Sequence, residues 1–376
     1  MQLTSSRREG FALALAIGAI VVIGALIAGV FFASSQQFRI GRSTLLQTRA
    51  RTGAEYGLNS LFDTNTASAH TQWRSAWNNS TALGVQSVIP VASTGDVWDT
   101  VRVTKLNTLS FLVTSEAGTG TAEASKAHDR LGALVVLKVP KIKIRGAVTL
   151  KGDIKTGGST TISGNDTTVS GWDCPPPDTA LPGIDMAPGG KFQCSGCKGD
   201  ISGNPTTRSD DAAAANDSTY THFGDLDWAS MTAQGKIVSG NPGLPTYNAD
   251  GSCNTTDPYN WGDPLNPTLA CGTYYPILYA PGDLSVTGGI GQGILLVNGN
   301  LNISGTFIFY GMVIAKGIVS NTGNGTIYGA LMAAGVDQTK VTGSTIVHYS
   351  SCVLNRSIRG SAKPILAPRR SWVELY

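Results

Sequence analysis

No proline occurs between Phe11 and Phe62, and no charged residue between Phe11 and Phe32. The first absence lets a helix run unbroken, because an internal proline removes a backbone donor and clashes with the preceding turn. The second removes every group that would be expensive to bury in hydrocarbon. The chain is also short of residues that carry catalysis. Its 376 residues hold four histidines, His70, His128, His222 and His348, scattered over different parts of the sequence. No G-x-S-x-G, Walker A or H-E-x-x-H pattern occurs, so the common nucleophile, phosphate and zinc signatures are missing. A net charge of +3 over this length gives no footprint for nucleic acid. No cofactor or metal set stands out, and the chain is read as non-enzymatic.

What is present begins with the run from Phe11 to Phe32. About 22 residues at roughly 1.5 Å rise reach about 33 Å, enough to cross a hydrocarbon core of roughly 30 Å. A removable signal peptide has a shorter apolar region and a small-residue cleavage site, whereas this run ends GVFFASSQQF, with bulky Val30 and Phe31. Arg39, Arg42, Arg49 and Arg51 beyond the run outnumber Arg7 and Arg8 before it, so charge counting does not settle orientation. Downstream, Leu46, Ala50, Ala54, Leu58 and Phe62 recur every fourth position with arginines on the other sides, an amphipathic helical face. One transmembrane and amphipathic helix over 11–62, about 78 Å long, accounts for both halves. An anchor followed by a separate core helix satisfies the same spacing.

VWDTVRVTKLN, TLSFLVTSEAG and DRLGALVVLKVP then read as strands, rich in Val, Leu and Thr and separated by turn residues. An antiparallel sheet module over 63–142, with the helix laid on it, would bury Leu58, Leu61 and Phe62.

At the front of the apolar run, Arg7 and Arg8 precede Glu9, Gly10 and Phe11 at the boundary between polar and apolar sequence. This resembles the class III leader of type IV prepilins. The resemblance implies that residues 1–10 are a leader removed after Gly10 by a prepilin peptidase, and that Phe11 becomes an N-methylated amino terminus. The glutamate that this family carries five residues into the mature chain is replaced by Leu15, which points to a minor pilin or tip-like pseudopilin. The order of helix, loop and meander ending in LVVLKV is similar to the PilX type of minor pilin, and YSSCVLNR and RRSWVELY resemble closing segments of such proteins. The implied partners are other pilin subunits, the pilus assembly machinery, the prepilin peptidase and inner-membrane lipid. The implied location is a bacterial inner membrane, crossed once with the carboxy-terminal part outside the cytoplasm, and then a pilus or cell surface.

From about Lys143 onward charge thins out and Gly, Ser, Thr and Asn take over. PGDLSVTGG, NGNLNISGT, AKGIVSNTGN and AAGVDQTKVTG place Gly282, Gly299, Gly317 and Gly335 about 17 to 18 residues apart, each just after an apolar run: ILYA, ILLVN, MVIA and ALMAA. Such units cannot bury a core alone, but stacked copies share one. The expected fold is therefore α+β and β. A long amino-terminal helix on a small antiparallel, pilin-like sheet is followed by a right-handed parallel β-solenoid carrying a Cys-rich insertion. First coils fall at 143–172, the Cys/Pro-rich insertion at 173–276, further coils at 277–349 and a capping segment at 350–376. An antiparallel sandwich of short strands is the competing architecture.

The six cysteines, Cys174, Cys194, Cys197, Cys253, Cys271 and Cys352, lie in a part that the anchor would place outside the cytoplasm, where disulfides are the default. CSGC lacks the βαβ context of a thioredoxin-like motif and a second close pair for zinc. Six cysteines allow fifteen pairings and spacing does not choose among them. Cys194–Cys197, Cys253–Cys271 and Cys174–Cys352 is the working set.

Two further readings compete with a structural subunit. One is an adhesin that binds glycans or surfaces through exposed aromatics such as Trp228, Tyr259, Trp261, Tyr274 and Tyr275. Solenoids also host polysaccharide-acting enzymes, but from Pro281 to Thr342 the only acids are Asp283 and Asp337 and the only bases Lys316 and Lys340. Asp210, Asp211, Asp217, Asp225 and Asp227 form a local acidic group that reads as a solvated loop or, alternatively, as calcium ligands.

Overall fold

The computed structural model describes residues 9–60, 83–84, 86–90, 95–107, 109–121, 124–196, 198–224, 226–249, 251–360, 363–367 and 372–374. Helix α1, Glu9–Ser60, is one element of 52 residues, as the lack of proline allows. Strands β1 (Gln86–Pro90), β2 (Val97–Lys105), β3 (Ser110–Thr121) and β4 (Ala124–Lys138) follow as an antiparallel meander. Alternate residues point to one side: Val101 and Val103 from β2, Phe111, Val113 and Ala117 from β3, and Leu131, Ala133, Val135 and Leu137 from β4 are all buried. Against them α1 lays Ala54 and Leu58, which are fully buried, as is Ala50 one turn earlier. Leu61 and Phe62, expected on the same face, lie outside the described residues.

β4 would be an edge strand, with a row of unpaired backbone groups. The end of the chain covers it. Lys363–Leu366 and Trp372–Glu374 both pair antiparallel with β4, Lys363 opposite Lys138 and Trp372 opposite Ala133. The segment 350–376, expected to cap the last coil, therefore divides. The helix Ser351–Gly360 packs on the coils, whereas the strands beyond it complete the first sheet. Residues 139–362 are thus an insertion between two strands of one sheet.

That insertion is a parallel β-solenoid. One of its three strand ladders passes through Leu278, Leu295, Val313, Leu331, Val148 and Ile184, all hydrogen-bonded in register. The order in space is not the order in sequence. The coil beginning at Val148, expected at one end, stacks in the middle, on the coil that the chain makes last: Leu331–Ala333 pair with Val148–Leu150, Thr339–Val341 with Ile154–Thr156, and Ile346–His348 with Thr161–Ser163. The repeat also continues into the segment read as an insertion, because Ile184–Met186, Phe192–Ser195 and Ile201–Ser202 form another coil and Thr207–Arg208 begin the next. The chain then crosses to the other end of the stack, where Lys236–Ile237 pair with Leu278–Tyr279.

The crossing segment explains the continuous apolar runs. In Ile294–Val297 and Met312–Ala315 residues of both parities are fully buried. One side faces the solenoid interior, and Tyr220, Phe223, Leu226, Trp228 and Met231 join the same core from the crossing segment. Strands covered on both faces lose the alternation of half-exposed ones.

Each run is preceded by a glycine, and Gly293, Gly311 and Gly329 stack in register with φ of 111°, 150° and 135°. A Cβ on Gly311 would strike the carbonyl oxygen of Gly293, and one on Gly329 that of Gly311. Only glycine lets the chain turn this corner so close to the coil beneath.

Candidate functional site

Helix α1 has two unlike halves. Leu13, Leu15, Ile17, Ile20–Ile23, Leu26, Ile27, Val30–Phe32 and Phe38 are each more than half exposed, and no described residue of the chain covers them. Monomeric proteins rarely leave so continuous an apolar surface bare, and such a surface marks an interaction with protein or membrane. The helix carries a window of mean hydropathy 2.8, long and apolar enough to cross a membrane. Leu15 is 60% exposed within it, so this stretch presents no carboxylate. Gly10 and Phe11 lie in the first turn of the helix, and residues 1–8 of the expected leader are outside the described residues.

The second half is seated on the sheet. Gly53 and Gly57, one turn apart, bring the helix backbone down on β2 and β3. A Cβ at Gly53 would lie 2.6 Å from Val97 Cγ1 and 3.0 Å from Ala117 Cβ, and one at Gly57 would strike the Asp99 carboxylate. Asp99 is held in this narrow space. The Ser115 hydroxyl donates to its Oδ1 at 2.9 Å, while its Oδ2 is buried with no hydrogen-bond partner. Burial pushes the carboxyl up to about 6, against the stabilising bonds from Ser115 and the Thr100 backbone. Polar contacts pin the rim: Arg49 lies 3.6 Å from Asp96, and Gln47 Nε2 donates to the His128 carbonyl at 3.2 Å. Glu116 accepts from Arg102 at 2.5 Å and lies 2.7 Å from His128 Nε2.

Cys174 is joined to Cys352, and Cys253 to Cys271. Cys194 is also disulfide-bonded, and Cys197 lies outside the described residues.

The aromatic residues considered for a glycan surface are mostly inside. Trp261 and Tyr275 are 1% and 5% exposed, Tyr274 is buried beside Cys253 and Cys271, and Trp228 lies beneath the Lys316 ammonium, 4.5 Å from its ring centroid. Tyr259 alone of the five is exposed, so these five do not form a stacking platform. Burial wins because Trp228 and Trp261 join the core of the coils, Tyr275 packs with Trp172 and Val353, and Tyr274 packs with Cys253 and Cys271.

Of the acidic group only Asp211 is buried, while Asp210, Asp217 and Asp227 are exposed on the surface. Arg145 holds both oxygens of Asp211, and Arg208 reaches Asp185 Oδ1 at 2.6 Å and Asp211 Oδ2 at 3.0 Å. Asp211 is thereby kept well below the usual carboxylate range, chiefly by Arg145, while burial raises the carboxyl of Asp185 against the pull of Arg208. Asp217 pairs with Lys151 at 2.6 Å, and Asp227 accepts from the Ser230 backbone as a helix cap. Asp225 lies outside the described residues. Asp283 accepts from the Asn300 backbone at 2.7 Å, a coil-to-coil bond.

Sequence reasoning did not find Gly53, Gly57 and Asp99. The first two were readable in principle as small residues interleaved with Ala50, Ala54 and Leu58, whereas nothing in VWDTVRV marks its acid as buried.

No family model matches the chain, and no curated protein matches it. Among solved structures, the crystal structure of the competence-associated pilin ComZ from Thermus thermophilus is similar at 11% identity over 88% of this chain and 97% of that one. The TM-score is 0.26, too low for the two folds to be equated.

Proposed function

We propose that the chain is a non-catalytic subunit of a type IV pilus or related filament, a minor pilin cut after Gly10, methylated at Phe11 and anchored by its apolar helix before assembly. The observation that carries this reading is the division of α1: its sheet-docked half is fixed by Ala50, Ala54 and Leu58, and its other half is bare apolar surface through Phe38. A helix of this kind is satisfied by lipid first and by neighbouring subunits afterwards. The solenoid is the displayed part. Its insertion between β4 and Lys363–Leu366 leaves α1 and its sheet intact as an assembly unit. Without the glutamate at position 15, the subunit lacks the charge that would pair with a neighbour's amino terminus, which suits a minor component.

Mass spectrometry of the mature amino terminus in cells with an active prepilin peptidase tests the reading. A chain starting at methylated Phe11 and recovered in sheared filaments is the expected result. A retained Met1 would remove the pilin reading and leave a plain anchor.

A further inference from the structure

In a solenoid wound from end to end, the backbone connects every coil to the next. Here one junction lacks that connection. The coil of residues 330–349 and the coil of residues 147–163 are paired strand to strand but not joined by a backbone connection, since the chain leaves the first into the helix Ser351–Gly360 and the second toward Ile184. The pairing at this seam is short, three residues in each ladder, and it sets Lys340 directly beside Lys155. Like charges opposed in register weaken a strand pair.

Other groups bridge the same seam from outside. Asp166, which follows the 147–163 coil, accepts from Ser351 N at 2.8 Å and from Ser351 Oγ at 2.6 Å. Thr167 N donates to the Tyr349 carbonyl at 2.9 Å. Arg356 donates to the Trp172 carbonyl and stands 5.3 Å over the Trp172 ring. The Cys174–Cys352 disulfide, spanning 178 residues of sequence, ties the two coil groups here.

We propose that this seam is the opening point of the solenoid and that the Cys174–Cys352 disulfide is its latch. The bond forms after the last coil has docked on the first, so it closes only a completed stack. Until then the edge formed by Val148–Leu150, Ile154–Gly157 and Thr161–Ser163 lacks its partner on that side, an exposure that finished proteins avoid. Reduction reverses the closure. A dithiol gives two electrons and two protons to the S–S bond, two thiols result, and the reductant becomes its own cyclic disulfide. The two coil groups then part locally, while coils joined by backbone stay closed.

The test is hydrogen exchange by mass spectrometry on the full chain in detergent, comparing the oxidised wild type with C174S/C352S, and with C253S/C271S as a control. We expect amides of 148–150, 331–333 and 339–341 to exchange about tenfold faster or more in C174S/C352S, with 294–297 and 312–315 unchanged and the control like wild type. If the double variant does not accumulate, the same strands are read in wild-type protein after reduction in place with dithiothreitol. Seam strands that stay as protected as the inner coils would overturn the proposal. So would a rise shared by all coils, or equal opening in the control.

Discussion

The carboxylate of Asp99 on β2 lies against the backbone of Gly57 on α1, with no room between them for a methyl group. This is where the helix sits deepest on the sheet, and it joins two requirements: a residue without a side chain on the helix, and an acid left without a full set of donors beneath it.

Replacing Gly57 by Ala should lift the helix from its seat. Alanine gains up to about 1 kcal/mol of helix propensity. The overpacking costs about 1–3 kcal/mol, because the added carbon meets the buried Asp99 Oδ2 and, at 2.5 Å, the Oγ of fully buried Ser115. Gly41→Ala is the matched control, since nothing lies within 4 Å of its Cβ position. Thermal unfolding of the detergent-solubilised chain should show a lower midpoint for Gly57→Ala and an equal or higher one for Gly41→Ala.

Asp99 should make the helix seat sensitive to pH. Its carboxyl titrates near 6 when folded and near 3.8 when exposed. The folded state therefore binds the extra proton between those values, and stability falls as pH rises from about 4 to about 6. Asp99→Asn keeps the acceptor for Ser115 and removes the charge. It should flatten that dependence and raise stability at pH 7 by about 1–2 kcal/mol, read by denaturant unfolding at pH 4.5 and 7. A variant that loses stability at both pH values would show that the charge is not the cost.

Much of this architecture was legible in the sequence because it rests on local pattern. The proline-free run gave α1, the four-residue recurrence gave its buried face, and the glycine-spaced apolar runs gave the parallel coils. What was not legible is non-local. Nothing near Val148 says that its partner is Leu331, and six cysteines do not reveal that Cys174 and Cys352 meet. The repeat in 184–208 was hidden because its strands are short and interrupted by Pro and Cys. Lys363–Leu366 read as a cap because KPIL carries no signal that distinguishes pairing with β4 from covering a coil.

The glycine corner should tolerate no side chain. Gly311→Ala forces a residue with a Cβ to φ of 150° and drives that carbon into the Gly293 carbonyl, backbone that cannot yield without disturbing the coil below. Strain and overlap together should cost about 2–5 kcal/mol. Gly282, which also belongs to the sequence repeat, has nothing within 4 Å of its Cβ position, so Gly282→Ala should be nearly neutral in the same melt.

The last prediction compares two acids in one ladder. Tyr279, Leu296, Ile314, Met332, Thr149, Asp185 and Arg208 are neighbours in register, so the protein already contains a buried aspartate in this row. Asp185 is tolerated because Arg208 meets it at 2.6 Å and Arg145 stands at 3.8 Å. Leu296, fully buried between Tyr279 and Ile314, has only apolar and aromatic neighbours in the ladder. Leu296→Asp places there a carboxylate without a cation and should cost about 4 kcal/mol or more, enough to unfold the coils. Asp283→Asn, by contrast, preserves an oxygen for the Asn300 amide and should leave folding and surface display intact. Circular dichroism melts read beside filament display separate the outcomes. Normal folding of Leu296→Asp would refute the packed-core account. Loss of a polysaccharide-cleaving activity in a well-folded Asp283→Asn would overturn the structural role in favour of a catalytic one.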